Sequence, residues 1–295
     1  MNKKTKATSI SILSNTILII IKIIAGIMTN SVSIISEAIH SLMDLFAAIM
    51  AFFAVKIADK PADHDHPYGH EKVENVSGVI EGLLIVLASG MIIYEAIKKI
   101  TSKEPIESVG LGFIVMFISS FVNFLVSKYL YKVAKEEHSI AIEADALHLK
   151  ADIYTSLGVG LGLMIISITK LTFLDPVIAI IIAIFILKEA WELIKNAFTP
   201  LLDEKLSDIE IEVIHKILDK HKEIYIDYHE LRTRRAGKTK HIDLHITLCS
   251  DMSVKEAHDL CDNIELQIEK ELKYTKILIH IEPCEKICNQ CNLKK

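Results

Sequence analysis

Two stretches of this chain place a histidine and an aspartate four residues apart within apolar surroundings. EAIHSLMD carries His40 and Asp44, and DALHLKAD carries His148 and Asp152. In a helix, an i, i+4 spacing puts both side chains on one face. Two such helices facing each other supply two imidazole nitrogens and two carboxylate oxygens. That four-coordinate set suits Zn2+, with Fe2+, Co2+, Cd2+ and Mn2+ as other candidates. The plainer alternative is four buried polar residues that only bond their neighbours. Within a membrane, ionisable side chains are costly and default to function, and the spacing occurs twice. Lys150 lies two residues beyond His148 and points about 200° away from it at about 100° per residue, so it is not assigned as a ligand. Lys22, Glu37 and Lys188 are read as paired or snorkelling.

Other potential ligands sit in polar segments. KPADHDHPYGHEKVE concentrates Asp63, His64, Asp65, His66 and His70 in one short loop. This is either a second metal site or a polar loop with incidental histidines. Further on, His229, His245, His258, His280 and Glu282 fall on separate elements. His280 and Glu282 share a face if that segment is a strand, but periodicity cannot show whether the others converge. Cys284, Cys288 and Cys291 close the chain in PCEKICNQC. The lone CxxC there could bind a soft metal or be reduced thiols on a disordered end.

The elements that must position these groups are long and apolar. Of 295 residues, 51% are hydrophobic, and they come in blocks of about 20, the length that crosses the hydrocarbon core. Six spans are expected, at 9–28, 34–57, 77–100, 109–133, 146–168 and 176–198. The first is too long for a signal-peptide core and no small-residue cleavage site follows it, so it is read as a retained span. An even number of spans puts both termini on one side. Lys3, Lys4, Lys6, Lys56, Lys60, Lys72, Lys128, Lys132 and Lys135 share that side, against Lys98, Lys99, Lys103 and Lys170. This predicts cytoplasmic termini. The net charge of −5 gives no basic excess for a nucleic-acid partner.

Beyond about residue 202 the composition turns polar. Three parts are expected: a six-helix transmembrane domain at 1–202, an α+β domain at 203–286 and a cysteine-containing tail at 287–295. The α+β domain reads as helix 207–221, strands 224–234 and 241–249, helix 253–272 and strand 276–282. In the second strand, Ile242, Leu244 and Ile246 alternate with His241, Asp243 and His245. All five cysteines follow Pro200. An odd number suits a reduced cytosolic compartment better than a disulfide framework.

Hydrolysis has little support in these residues. Four protein ligands would close a zinc site that an enzyme would keep open to water. There is no HExxH, and Gly237-Lys238-Thr239 has Arg232 where a phosphate-binding loop needs glycine. Transport driven by a gradient fits better, since an unperturbed histidine pKa of about 6.5 lets metal and proton compete for one nitrogen.

The SISEAIHSLMD-like and DALHLKADIYTS-like helices, the PADHDHPYGHEKVE loop and LLDEKLSD resemble the cation diffusion facilitator family, in its bacterial zinc and iron exporter branch. The resemblance runs from the first span to about Cys284. It implies a homodimer with six spans per protomer and a cytoplasmic metallochaperone-like αββαβ domain. It also implies exchange of a cytoplasmic divalent cation for protons by alternating access. On this resemblance the transport site is His40, Asp44, His148 and Asp152, the loop site is Asp63, His66 and His70, and a binuclear tail site comprises His229, His245, His258, His280 and Glu282. Lys72 and Asp203 match a charged interlock near the dimer interface. Three positions depart from the pattern. His40 stands where the best-studied bacterial pattern has Asp, Glu282 stands where Asp is frequent, and Ile281, which cannot donate, stands in place of a polar residue. The expectation is a Zn2+/proton antiporter of the cytoplasmic membrane. The alternative is a membrane-anchored metal sensor or scaffold that does not transport.

Overall fold

Six long helices lie along the first two-thirds of the chain, in a computed structural model that describes residues 2–29, 32–102, 111–169 and 174–284. Within these, side chains at 26, 28, 29, 32–40, 43, 99–102, 111–116, 156, 158–169, 174 and 175 are outside the described residues. The helices are α1 (Lys3–Thr29), α2 (Val32–Ala58), α3 (Lys72–Ser102), α4 (Leu111–Glu137), α5 (Ile140–Thr169) and α6 (Leu174–Phe198). They run past the apolar blocks because backbone hydrogen bonding continues into polar turns where hydropathy has already fallen. Lys3–Ala25 and Lys72–Lys98 are each long and apolar enough to cross a bilayer. The chain divides into two units, Met1–Phe198 and Thr199–Lys295.

The first unit has its polarity reversed relative to a water-soluble bundle. Leu13, Ile17, Phe46, Phe53, Leu87, Met91, Phe121 and Ile181 face outward, while Ser11, Asn15, Asp44, Glu81, Ser127 and Asp145 are buried. A lipid surround selects this pattern, because apolar surface costs nothing there and polar groups must find partners inside. Helices α2 and α5 pack against each other, which sets the two HxxxD faces together. Lys150 pairs with Glu189 on α6 at 2.7 Å, and buried Lys22 bonds Ser41 at 2.7 Å.

The second unit opens with a 3-10 turn (Thr199–Leu202). It continues through α7 (Asp208–Lys220), β1 (Asp227–Ala236), β2 (Thr239–Leu248), α8 (Val254–Glu271) and β3 (Thr275–Pro283). Ser207 with Glu210, and Ser253 with Glu256, form capping boxes that start the two helices. β1 and β2 are an antiparallel hairpin turned at Gly237, whose φ of 55° glycine tolerates. The chain returns through α8 to lay β3 parallel to β2, giving sheet order β1-β2-β3. Ile242, Leu244 and Ile246 are buried with Ile214, Leu218, Ile264 and Ile268 from the helices. The alternation fails at one position: His241 is buried, because its central strand sets it between Arg234 and Lys276.

Candidate metal centres

Three groups of potential ligands converge, each with its ligand atoms within 4.8 Å of one another. The first is Asp44, His148 and Asp152, inside the helical unit. Asp44 is buried, and His148 Nε2 lies 2.8 Å from its Oδ1. The imidazole comes from α5 and the carboxylate from α2, so the contact ties the two HxxxD helices directly. His40 lies one turn before Asp44 on α2, and its side chain is outside the described residues.

The second group, Asp63, His66 and His70, occupies the segment between α2 and α3. Asp63 Oδ1 accepts the backbone N–H of His66 at 2.7 Å and that of Asp65 at 3.1 Å. This side-chain-to-backbone turn folds the loop onto itself. The His66 ring stands 3.1 Å from Asp63 Oδ1, and His70 Nε2 stands 3.2 Å from its Oδ2. Gly69, at φ +91°, makes the reversal that brings His70 back. The His66 backbone N–H, aided by its ring, holds the Asp63 carboxyl below its ordinary range. His64 and Asp65 pair with each other at 3.3 Å, apart from this trio.

The third group, His229, His245 and Glu282, lies on the sheet of the second unit. His229, His245 and His280 are register partners across all three strands, so they form one row. That row occupies the face opposite the helix-covered core. Glu282 reaches back to it. Its Oε1 is 2.9 Å from His245 Nδ1 and 3.9 Å from His280 Nε2, and its Oε2 is 3.3 Å from His229 Nε2. The His245 hydrogen bond, with the other two imidazoles, keeps this carboxyl below its usual range. A β-bulge separates His229 from Arg232, with Glu230 at φ 50°. It admits one extra residue and turns the strand beside the site. No sequence signal marked that bulge.

Not every residue expected at the sheet site joins this trio. His258 sits on α8, exposed, 3.5 Å from Asp262, outside the tail trio. Ile281 is 38% exposed and offers no donor atom. Lys72 opens α3 in the first unit. Asp203, in the second, lies 3.4 Å from Arg234 Nη1. Cys284 Sγ is 3.9 Å from Ser250 Oγ, while Cys288, Cys291 and the expected tail 287–295 are outside the described residues.

Comparison with known proteins gives the family. Residues 8–202 match the family described as the cation efflux transmembrane domain, and residues 206–284 match the cytoplasmic domain of cation efflux proteins. The cation-efflux pump FieF of Yersinia pestis is 31% identical over 283 residues, covering 95% of this chain and 93% of its own length. FieF of Shewanella oneidensis is 29% identical over 279 residues, covering 95% and 94%. Among solved structures, the zinc form of CzrB is 32% identical, covers 30% of this chain and 99% of that one, and has a TM-score of 0.27. With both halves matched, the chain is a membrane-embedded, dimer-forming divalent-cation efflux protein of the cation diffusion facilitator family.

Proposed function

We propose that this protein exports Zn2+ across the cytoplasmic membrane in exchange for protons, by alternating access. The observation that carries the reading is the meeting of Asp44, His148 and Asp152 inside the helical unit, drawn from two separate helices. His40 is assigned as the fourth ligand from its place one turn before Asp44. An imidazole-carboxylate set favours zinc over harder cations. The same imidazoles accept protons, so cargo and counter-ion displace one another. Six spans follow from the apolar blocks of the sequence, and cytoplasmic termini from the lysine distribution. Residues 1–202 are assigned to the membrane, 203–286 to the α+β domain and 287–295 to a trailing tail.

The loop and sheet groups are read as regulatory metal sites. Asp63, His66 and His70 form the first. His229, His245, His280 and Glu282 form the second, with His258 as an outlying candidate. Lys72 and Asp203 are assigned to an interlock at the dimer interface. Two of the three groups lie outside the helical segments, which favours a second reading: a membrane-anchored metal sensor that does not transport.

One experiment separates the two readings. Purified protein in liposomes is given zinc and an imposed pH gradient, and flux is compared with that of Asp152→Ala. The antiporter moves zinc in proportion to the gradient, and the variant loses at least tenfold in rate, about 1.4 kcal/mol in barrier. Zinc binding without gradient-driven flux would put the sensor first.

A further inference from the structure

Two carboxylates are sealed inside the helical unit without an ion-pair partner among the described residues. Asp145 on α5, one turn before His148, is fully buried, and so is Glu81 on α3. Among the described residues Asp145 has only the Ser11 hydroxyl of α1 to bond and no cation, and Glu81 Oε2 has no hydrogen-bond partner. Glu81 Oε1 accepts from Ser77 at 3.1 Å. The two acids are near enough to act on each other electrostatically. From α1, Ser11 faces Asp145. Asn15, one turn along the same helix, is buried with its Nδ2 unsatisfied.

The nearby charges are already engaged. His148 acts on both acids and Asp44 acts on Asp145, but those two are bonded to each other. Lys22 of α1 bonds Ser41, and Lys150, further along α5, is held by Glu189. An unpaired buried carboxylate costs several kcal/mol or more, and two that repel each other through a dry interior are costly to ionise together without a cation. This place calls for positive charge, and it is separate from the atoms that ligate the metal.

We propose that Glu81 and Asp145 form a proton-holding pair that carries one of the protons exchanged for the metal. The proposal rests on the proton-exchange reading above and gives one of its protons an address. When a divalent cation reaches Asp44, His148 and Asp152, its charge is felt one helical turn away. The carboxylic O–H bond breaks, the proton passes to water, and a carboxylate remains facing the cation. When the cation leaves, that carboxylate takes a proton from water on the side then open. Proton and metal are thereby linked through space as well as through shared imidazole nitrogens.

The test uses the full-length protein in detergent. Infrared difference spectra are recorded on adding Zn2+, together with the protons released per zinc, for the wild type, Asp145→Asn and Glu81→Gln. A protonated-carboxyl carbonyl band is expected to disappear when zinc binds the wild type and to be absent from Asp145→Asn. Proton release in that variant falls by about one per zinc. Glu81→Gln, close in shape, guards against a variant that simply fails to fold. No zinc-sensitive carboxyl band in the wild type, or unchanged bands and release in both variants, would overturn the proposal. An ionised pair holding a water or a sodium ion gives that result. Neither readout requires flux, so a protein with the band but without gradient-driven transport would fail as an antiporter while keeping its proton pair.

Discussion

Glu282 is central to the sheet site because one carboxylate touches an imidazole from each of three strands. Shortening it to Asp would pull one oxygen away from the row, and replacing it with Gln would remove the charge. Glu282→Gln is expected to weaken the first zinc bound by the second unit by roughly ten- to a hundredfold. His258→Ala should leave that step within about threefold, since His258 faces Asp262 instead. Titration calorimetry on the two variants decides this, and equal losses would return His258 to the ligand set. At this scale the sequence told residue types but little of their company. The repeated HxxxD spacing stood out because i, i+4 repeats within apolar runs have few innocent explanations, and Asp44, His148 and Asp152 lie together. The trio of Asp63, His66 and His70 could be told from His64 and Asp65 only through the resemblance, because a loop has no period. The row of His229, His245 and His280 depends on strand register, and register is a property of pairs of segments.

The elements themselves were more legible than their contacts. Apolar runs marked the helices of the first unit, and the helices expected at 207–221 and 253–272 lie within one residue of α7 and α8 at each end. Helix packing left a subtler mark. Gly78 and Gly82 are four apart on α3, and both face α6. A Cβ on Gly82 would come within 2.5 Å of Ile194 Cγ1, and one on Gly78 within 3.2 Å of Ala197 Cβ. Such small-residue spacing lets helices approach closely in lipid, where packing rather than water drives association. The G-x-x-x-G spacing from Gly78 to Gly82 is plain in the sequence. Gly82→Ala should destabilise the helical unit by about 1–3 kcal/mol through overpacking. Adding Ile194→Val should recover only part of that, since the removed methyl is not the atom in closest contact. Thermal unfolding in detergent measures both. An unchanged midpoint in Gly82→Ala would mean that α3 and α6 separate more easily than their contacts suggest.

For the whole molecule, the consequence of holding ligand groups in two separate units is that zinc should stabilise each of them by its own linkage. A ligand that binds only the folded form adds RT ln(1 + [L]/Kd), about 2.7 kcal/mol at a hundredfold excess over Kd. Unit Met1–Phe198 contains the helical and loop groups, and unit Thr199–Lys295 contains the sheet group. Calorimetry with zinc and with chelator should therefore show two zinc-dependent shifts. Glu282→Gln should shrink the shift of the second unit and spare the first, while Asp152→Ala with His70→Ala should do the reverse. The sign with pH follows from the ligands. Histidine must be neutral to hold zinc, and the depressed carboxyls of Asp63 and Glu282 stay ionised below the usual carboxylate range. Acidification should therefore remove both zinc shifts by protonating imidazoles before these carboxylates are lost. A zinc shift in the second unit that survives intact at pH values well below the ordinary histidine range would mean that carboxylates hold that ion, and that the histidine row serves another purpose.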